Sequence, residues 1–507
     1  MMRRRQFMAA TMAAGAAALA GCSKSSSGGA GNGPSLRSDG NPDLTWKGTI
    51  TMGAQAYTPA LPGVKLAPGT AKLQEFGKVA DAFTALYPDI KIKFLGSDYT
   101  YETTTMKTQA TGGQLPDVWW QQHSEVNTSF PAGVCTNLAP YMEKPNPFIK
   151  GNTRWRDVLN AQSYTQSYAD ADTQYCNNGD FVGTAFFYNK KIFASAGISD
   201  VPKTWDELIA VCQKLKAAGT TPCAIPAYTY GFGWLARIFL ANFLGEDTCK
   251  KIDAYSKDPG ISTTDVAVAY KKGLLDPRQN PAVLAWWPMA KELFSYCDPQ
   301  INQLPANPPV GSPNPEAMMA AGKVGMIYDG TWAPTAVAAN GGGIEIGSFP
   351  WPSLAGSNQY ATSFDTANAV SGPNAAWQYF ISSPRSDTSL RENGKLDAVV
   401  AWMQFFSTPE RNTAICNEYG SFLPTYSGAE PTKDLKELAS LAAEPIYAMN
   451  GGAEFTTEAN DQISKLFQAY VLGQVSMDDV TTKYPQIMDK GLQDYLQVHP
   501  IDFSKYS

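Results

Sequence analysis

Apolar side chains recur along the first part of the folded region with the periods of alternating strands and helices. Ile-Lys-Ile-Lys-Phe-Leu at 90–95 alternates as a half-buried strand does, and the apolar residues of 69–87 recur at helical spacing up to Pro88. The predicted strands are 49–53, 90–95 and 115–120, and the predicted helices are 69–87 and 101–110. This β-α-β-α-β order predicts an α/β fold with a mostly parallel sheet, whose ligands bind beyond the carboxyl ends of the strands.

The first 21 residues have the pattern of an export signal. Arginines at 3–5 precede an apolar run of about 13 residues, which is too short for the roughly 20 that span a bilayer as a helix. The run ends in Leu-Ala-Gly before Cys22, an order that resembles a bacterial lipobox, in which the Cys thiol receives a diacylglycerol. We expect 1–21 to be removed and Cys22 to anchor the protein to the outer face of the cytoplasmic membrane. The consecutive arginines also fit a twin-arginine signal, so both export routes stay open.

Composition sets the class of the mature protein. Residues 22–45 are rich in Ser, Gly, Asn and Pro and predict a flexible tether, so the folded body begins near Trp46. With 44% hydrophobic and 17% charged residues among 507, the chain can bury a large core. Its net charge of -6 becomes -9 without the leading arginines. Because this charge gives no broad basic surface, nucleic acid is not an expected partner.

Seven cysteines remain beside Cys22, in a compartment where disulfides persist. Proximity along the chain suggests Cys135–Cys176, Cys212–Cys223 and Cys249–Cys297, with Cys416 left over. Spacing alone does not decide the connectivity. Because there is no C-x-x-C and the only histidines are His123 and His499, we expect no metal and no cofactor.

Four motifs follow one another in a characteristic order. Phe-Thr-Ala-Leu-Tyr-Pro-Asp-Ile-Lys-Ile at 83–92 comes first, and Thr-Gly-Gly-Gln-Leu-Pro-Asp-Val at 111–118 is second. The third combines 179–193 with 202–208, and the fourth covers 317–332. Together they resemble the extracellular sugar-binding lipoproteins of bacterial ABC importers, the maltodextrin-binding-like group of solute-binding proteins, through most of the mature chain.

The resemblance implies a two-lobed periplasmic-binding-protein-like fold, with a ligand cleft between lobes that close around a hinge. It implies one lobe at 46–182 plus 324–370 and the other at 183–323 plus 371–507. The implied ligand is a sugar or oligosaccharide, and the implied partner is the permease of an ABC importer. We expect a monomer. The Pro- and Asn-rich stretches 304–315 and 382–393 either shape the cleft or decorate the surface.

Several conspicuous residues have a structural interpretation. Thr204 and Glu207 fit a capping box at a helix start, so Trp205 between them is expected to pack. Tyr-Asn-Lys at 188–190 predicts a strand-to-helix turn, and Pro-Asp at 116–117 predicts a turn before a strand. The pair at 286–287, Trp-Trp, lies in a helical pattern where packing explains it.

Sugar recognition needs aromatic faces against the C–H patches of a ring and planar polar groups that hydrogen-bond hydroxyls. Trp332 occupies the position where the family carries a stacking Trp, and Trp120 ends a predicted strand. Further candidates follow the first strand, the third strand and a strand-like run at 359–364. Others lie at 228–234, in the loop where the family carries more aromatics, which we call the aromatic loop. The predicted ligand site comprises Gln55, Tyr57, Trp120, Gln121, His123, Glu125, Tyr228, Tyr230, Trp234, Asp329, Trp332, Asp365 and Asn368.

A secreted carbohydrate-active enzyme, a glycosidase or lyase, is the alternative. A glycosidase needs two converging carboxylates, and 46 acids supply many accidental pairs. The sequence has no Gly-x-Ser-x-Gly, no His-Glu-x-x-His, no P-loop and no dinucleotide fingerprint. We therefore expect a binding protein without catalytic activity.

Overall fold

Two mixed β-sheets organise the chain in the computed structural model. The structure describes residues 34–506 except 65–71, 97–104, 124–125, 127–129, 161–162, 164–166, 171–172, 257–259, 307, 310, 342, 363, 365–375, 434, 437, 439–448 and 450–454. The strands are β1 Gly48–Gly53, β2 Ile90–Leu95, β3 Val118–Trp120, β4 Tyr168–Asp170, β5 Thr173–Gln174, β6 Cys176–Asn178, β7 Asp180–Phe181, β8 Thr184–Asn189, β9 Thr221–Ala224, β10 Val324–Gly330, β11 Ile346–Phe349, β12 Gln378–Ile381 and β13 Leu423–Pro424.

The first sheet has the order β2-β1-β3-β12-β6, and the second has the order β11-β8-β10-β9. In the first sheet β1 runs parallel to β2 and β3, while β12 is antiparallel to β3 and β6. In the second, β10 is parallel to β9 and antiparallel to β8, and β11 is also antiparallel to β8. Both sheets are therefore mixed, which the predicted mostly parallel arrangement did not include.

Helices cover both sheets and join them. They are α1 Glu75–Leu86, α2 Met106–Gly112, α3 Ala139–Met142, α4 Lys190–Ser195, α5 Trp205–Ala217, α6 Ala236–Leu244, α7 Glu246–Asp253, α8 Thr263–Lys271, α9 Ala282–Ala285, α10 Trp287–Phe294, α11 Pro299–Asn302, α12 Pro315–Ala320, α13 Ala333–Ala339, α14 Lys395–Phe406, α15 Pro409–Tyr419, α16 Thr457–Val471 and α17 Met477–Val498. A π-helix spans Ala227–Leu235, and 3₁₀ turns span Gln55–Tyr57, Trp155–Val158, Thr388–Arg391 and Phe503–Lys505. In the described part of the chain, every helix is too short or too polar to cross a membrane.

Each sheet has its own hydrophobic core. The first core packs β1, β3 and β12 against α1, α14 and α15, with Phe83 and Trp402 among its buried side chains. The second core packs β8 and β10 against α5, α6, α16 and α17, with Phe239 and Phe467 among its fully buried side chains. We call the first sheet with its core the first lobe and the second sheet with its core the second lobe.

Sheet membership differs from the predicted lobe boundaries. The segment 324–370 was expected in the first lobe, yet its strands β10 and β11 pair in the second sheet. Conversely β12, which lies beyond residue 370, pairs in the first sheet. The difference arises because strand pairing depends on partners far apart in sequence, which the order of motifs does not reveal.

Three predicted elements differ from those observed, the first two of them at their edges. Helix α1 begins at Glu75, whereas 72–74 are not helical. The Glu418 carboxylate, more than 300 residues away, accepts hydrogen bonds from the Gln74 and Glu75 amides and so fixes this helix start. Strand β3 begins only at Val118. The run 359–364 contains no strand among its described residues.

The turn before β3 is anchored by a buried ion pair. The Asp117 carboxylate accepts hydrogen bonds from the Thr51 amide and hydroxyl at 2.8 and 2.9 Å. Its other oxygen lies 2.9 Å from Lys395 Nζ, and both side chains are buried. Lys395 begins α14, where the helix dipole disfavours a cation, so Asp117 provides the compensating charge.

Several local predictions are confirmed. Thr204 and Glu207 form both hydrogen bonds of a capping box at the start of α5, and Trp205 is buried. Asn189 caps α4 by accepting a hydrogen bond from the Ile192 amide, directly after β8. The tryptophans at 286–287 are both fully buried in the second core.

The stretch 382–393 is part of the first lobe rather than a surface decoration. The Ser382 hydroxyl donates to the Pro116 carbonyl at 2.7 Å, and the Ser383 hydroxyl donates to the Gly133 carbonyl at 2.6 Å. Leu390 is buried in the first core. Thus this stretch fastens the turn before β3.

All seven cysteines that the structure describes are free, buried thiols, so the three predicted bridges are not formed there. The suggested pair Cys249–Cys297 is wrong. The Sγ of Cys297 instead lies 3.0 Å from the Sγ of Cys223. Cys249 instead donates to the Ala241 carbonyl within the second lobe.

Candidate functional site

Five aromatic side chains form a continuous array from one core to the other. The Trp332 ring contacts Trp234 at 5.7 Å and Phe422 at 6.4 Å, both edge to face. Phe422 stacks on Tyr419 at 5.2 Å, and both contact Tyr57. Trp332 packs against both hydrophobic cores, and Trp332 and Tyr419 are only partly buried. We call these five residues the aromatic array.

Trp332 is positioned by the end of β10. It follows the strand by two residues and immediately precedes α13, beyond the carboxyl end of a central strand of the second sheet. Its indole lies against the Gly330 backbone, where a Cβ would come within 2.3 Å of the ring. Only glycine permits this approach, so the sequence Gly-Thr-Trp orients the indole.

The segment predicted as an aromatic loop is a π-helix. It carries Tyr228 and Trp234 and continues directly into α6. A Cβ at Gly231 would lie 2.5 Å from the Phe467 ring, so glycine lets α16 pack against this segment. The Tyr228 hydroxyl donates to the Asp461 carboxylate of α16 at 2.5 Å. π-Helical turns are rare and concentrate at functional sites.

On the first lobe, the site begins where β1 ends. Gln55 has a φ of 50°, and it is the one non-glycine residue with positive φ in the described part of the chain. Such strain is often found at ligand sites. Tyr57 is buried, and its hydroxyl donates to Asp180 Oδ2 at 2.6 Å. Burial and the adjacent Asp180 charge raise the pKa of Tyr57 well above its usual value.

Asp180 is a buried carboxyl on the connection between the two sheets. Its Oδ1 accepts a hydrogen bond from the Trp377 amide at 3.0 Å. Burial raises the pKa of Asp180 to about 7, although the hydrogen bonds from Tyr57 and the backbone oppose this shift. The carboxyl therefore changes its protonation near neutral pH.

The residues at the end of β3 and directly after it are less exposed than the sequence suggested. Trp120 and Gln121 retain only 4% and 1% of their exposure. Gln121 Oε1 accepts a hydrogen bond from the Gln122 amide at 2.8 Å. His123 is partly buried and stacks parallel to Phe380 at 6.5 Å. Burial lowers the pKa of His123 to about 4, so this imidazole is neutral at neutral pH.

The remaining predicted site residues fall into two groups. Asp329 is fully buried, and its Oδ1 accepts a hydrogen bond from the Gly330 amide at 2.8 Å. Glu125, Asp365 and Asn368 lie outside the described residues, as does the side chain of Tyr230. The structure thus brings Trp332, Trp234 and Tyr57 into one array and places Tyr228 on the same π-helix as Trp234.

Tyr419, Phe422 and Asp180 were missed by the sequence analysis. Tyr419 ends α15, and Gly420 follows it in the left-handed conformation. The available signal was a glycine at the end of a helix, with an aromatic residue just before it and another two residues after it, followed by a Leu-Pro strand. Asp180 lay inside a recognised motif, but no feature of the sequence indicated that the carboxyl would be buried.

The match of the chain to a family model decides its class. Residues 78–443 match the model of the bacterial extracellular solute-binding proteins. The chain belongs to this family. The match confirms the resemblance inferred from the four ordered motifs. The aromatic array is therefore to be interpreted as part of an exported solute-binding protein.

Two curated relatives illustrate the sequence similarity of this solute-binding protein. The sn-glycerol-3-phosphate-binding periplasmic protein UgpB of Yersinia pestis bv. Antiqua is 27% identical over 208 residues, 40% of this chain and 44% of the relative. UgpB of Shigella dysenteriae is 32% identical over 206 residues, 39% of this chain and 43% of the relative. The chain thus matches less than half the length of these relatives.

Solved structures share the fold over nearly the whole chain. A chitin oligosaccharide binding protein has a TM-score of 0.59 at 19% identity, covering 88% of this chain and 99% of its own. The GacH receptor of Streptomyces glaucescens reaches 0.57 at 18% identity, covering 89% and 100%. RafE in complex with raffinose reaches 0.54 at 18% identity, covering 87% and 100%. At these identities the likeness establishes the two-lobed α/β fold alone.

Proposed function

We propose that this solute-binding protein captures a neutral sugar or oligosaccharide between its lobes and delivers it to the permease of an ABC importer. The observation that carries the proposal is the aromatic array. It starts on the π-helix of the second lobe, passes through Trp332 and ends at Tyr57 of the first lobe. Partly exposed aromatic faces suit the apolar C–H patches of sugar rings.

The charges beside the array favour a neutral ligand. Asp180 accepts a hydrogen bond from the Tyr57 hydroxyl, and Asp329 lies three residues before Trp332. Carboxyl groups form hydrogen bonds with sugar hydroxyls in either protonation state, whereas in the ionised form they repel a phosphate. The relatives named UgpB make sn-glycerol 3-phosphate the second candidate ligand.

The two cores supply the closure mechanism. The lobes that we propose follow the sheets: β1, β2, β3, β6 and β12 belong to the first, and β8 to β11 belong to the second. A ligand that contacts both lobes stabilises the closed form by its differential affinity for the two states. The permease then recognises the closed form.

Export and anchoring complete the proposal. Cys22 follows a signal-like segment, and we assign it the lipid that holds the protein at the outer face of the membrane, as a monomer. The protein performs no chemistry on its ligand. An active-site-dependent hydrolysis of oligosaccharides by the purified protein would instead identify the alternative, a secreted glycosidase or lyase.

The decisive experiment is isothermal titration calorimetry with a ligand panel. The panel comprises raffinose, maltodextrins, chitin oligosaccharides and sn-glycerol 3-phosphate. We expect binding of at least one neutral sugar with a change in tryptophan fluorescence. Trp332→Ala should weaken that binding by about 1–3 kcal/mol, the scale of a lost aromatic contact plus buried apolar area.

Trp286→Ala is the matched control, because Trp286 is fully buried in the second core. Its truncation should cost about 3–5 kcal/mol of unfolding free energy and leave the affinity of the folded fraction unchanged. If Trp332→Ala behaves in this way, Trp332 is a packing residue. Binding of sn-glycerol 3-phosphate alone would overturn the proposed ligand class.

A further inference from the structure

Three thiols from separate elements meet in the second lobe. Cys223 lies on β9, Cys297 lies three residues after α10 ends, and Cys212 lies on α5. The sulfurs of Cys223 and Cys297 are 3.0 Å apart, about 1 Å more than a disulfide bond. The thiol of Cys212 is hydrogen-bonded to Cys223. All three are buried.

The backbone selects one pair from the three. Cys223 and Cys297 lie opposite each other in a parallel bridge. The Cys223 amide donates to the Tyr296 carbonyl at 3.4 Å, and the Asp298 amide donates to the Cys223 carbonyl at 2.9 Å. Adjacent extended segments lie about 4.8 Å apart, within the Cα separation of about 4.4–6.8 Å that disulfides require. Cys212 approaches the pair from a helix and has no such backbone pairing.

We propose that Cys223 and Cys297 form a disulfide in the exported protein, while Cys212 remains a thiol. Each of the two thiols gives up its hydrogen as the sulfur–sulfur bond forms. The two electrons and two protons pass to an oxidising disulfide, whose own bond breaks to give two thiols. The proposal rests on export, which the family implies, and does not depend on the ligand.

The oxidation takes place while the chain folds. Burial raises the pKa of the Cys223 thiol well above its usual value in the folded protein, so the reactive thiolate is not formed there. Once formed, the bond ties β9 to the end of α10. Cys223 lies three residues before Pro226, the residue that precedes the π-helix with Tyr228 and Trp234. The bond therefore fixes the base of one wall of the proposed site.

Peptide mapping of the full exported chain tests the pairing without any substitution. The protein is purified without reductant, denatured in iodoacetamide and digested with trypsin. The three cysteines fall in separate tryptic peptides, 204–214, 217–237 and 292–323. We expect 217–237 linked to 292–323 and 204–214 alkylated. Reduction should lower the melting temperature by about 5 °C.

Two variants serve as controls. Cys212→Ser should leave the linked peptide in place, whereas Cys297→Ser should abolish it. Refolding of the reduced chain with oxidised glutathione should restore the link in the unmodified protein. Recovery of 217–237 and 292–323 as alkylated peptides after this refolding, or a link between 204–214 and 217–237, would overturn the proposal. Either outcome leaves ligand binding, and thus the proposed function, unaffected.

Discussion

Asp180 makes the stability of the protein depend on pH in a direction opposite to that of most carboxyl groups. It lies on β7, between β6 of the first sheet and β8 of the second. Burial raises its pKa from 3.8 to about 7 in the folded protein. Between about pH 4 and pH 7, the folded state therefore holds a proton on Asp180 that the unfolded state has released. In this interval the free energy of unfolding falls as pH rises.

The magnitude follows from the two pKa values. A difference of about 3 units, at about 1.36 kcal/mol per unit, corresponds to about 4 kcal/mol between pH 4 and pH 7. Asp180→Asn keeps the shape and the acceptor for the Trp377 amide, and its amide group donates to the Tyr57 hydroxyl. Because it does not ionise, this variant should lose the contribution of Asp180 to the pH dependence.

Guanidinium unfolding followed by tryptophan fluorescence at pH 4, 5, 6, 7 and 8 measures the effect. The unfolding free energy of Asp180→Asn minus that of the unmodified chain should increase by about 1.4 kcal/mol per pH unit up to about pH 7 and then level off. Asp81→Asn, an exposed position on α1, is the control and should leave the profile unchanged. A difference that is flat or falls with pH would refute the assignment of a buried, proton-binding carboxyl.

Two further predictions concern the ion pair and the anchor. Lys395→Met should cost about 3–5 kcal/mol of unfolding free energy in the same assay, because it leaves the buried Asp117 charge unpaired. Lys490→Met, whose ion pair with Asp494 is exposed, should cost less than about 1 kcal/mol, and equal losses would contradict this reasoning. Cys22→Ala should remain unprocessed or unanchored, which membrane fractionation detects. Normal membrane retention of that variant would contradict lipidation at Cys22.

Features that depend on neighbouring residues were predictable from the sequence. The capping box at Thr204 and the Asn189 cap need only groups three residues apart, so composition and spacing identify them. The alternation at 90–95 likewise marks β2, because one face of the strand is more buried than the other. The class of the fold followed from the order of such elements.

Features that depend on distant partners were not predictable. The π-helix requires Gly231 beside Phe467, more than 200 residues later, and local composition there indicates only a loop. The start of α1 depends on Glu418 in the same way. The ligand site was predicted in part, since Trp332, Trp234 and Tyr57 belong to the array, but its Tyr419 and Phe422 lie more than 80 residues beyond Trp332.

Tyr57 joins the array to the connection between the two sheets. Its ring contacts Tyr419 and Phe422, while its hydroxyl binds Asp180 on β7. Strand β7 pairs with β13, which begins at Leu423, directly after Phe422. Along the chain, β7 lies between β6 of the first sheet and β8 of the second, so this two-stranded ribbon is one of the connections between the two sheets. In the closure that we propose, a ligand that orders Trp332 and Phe422 acts one residue away from this ribbon.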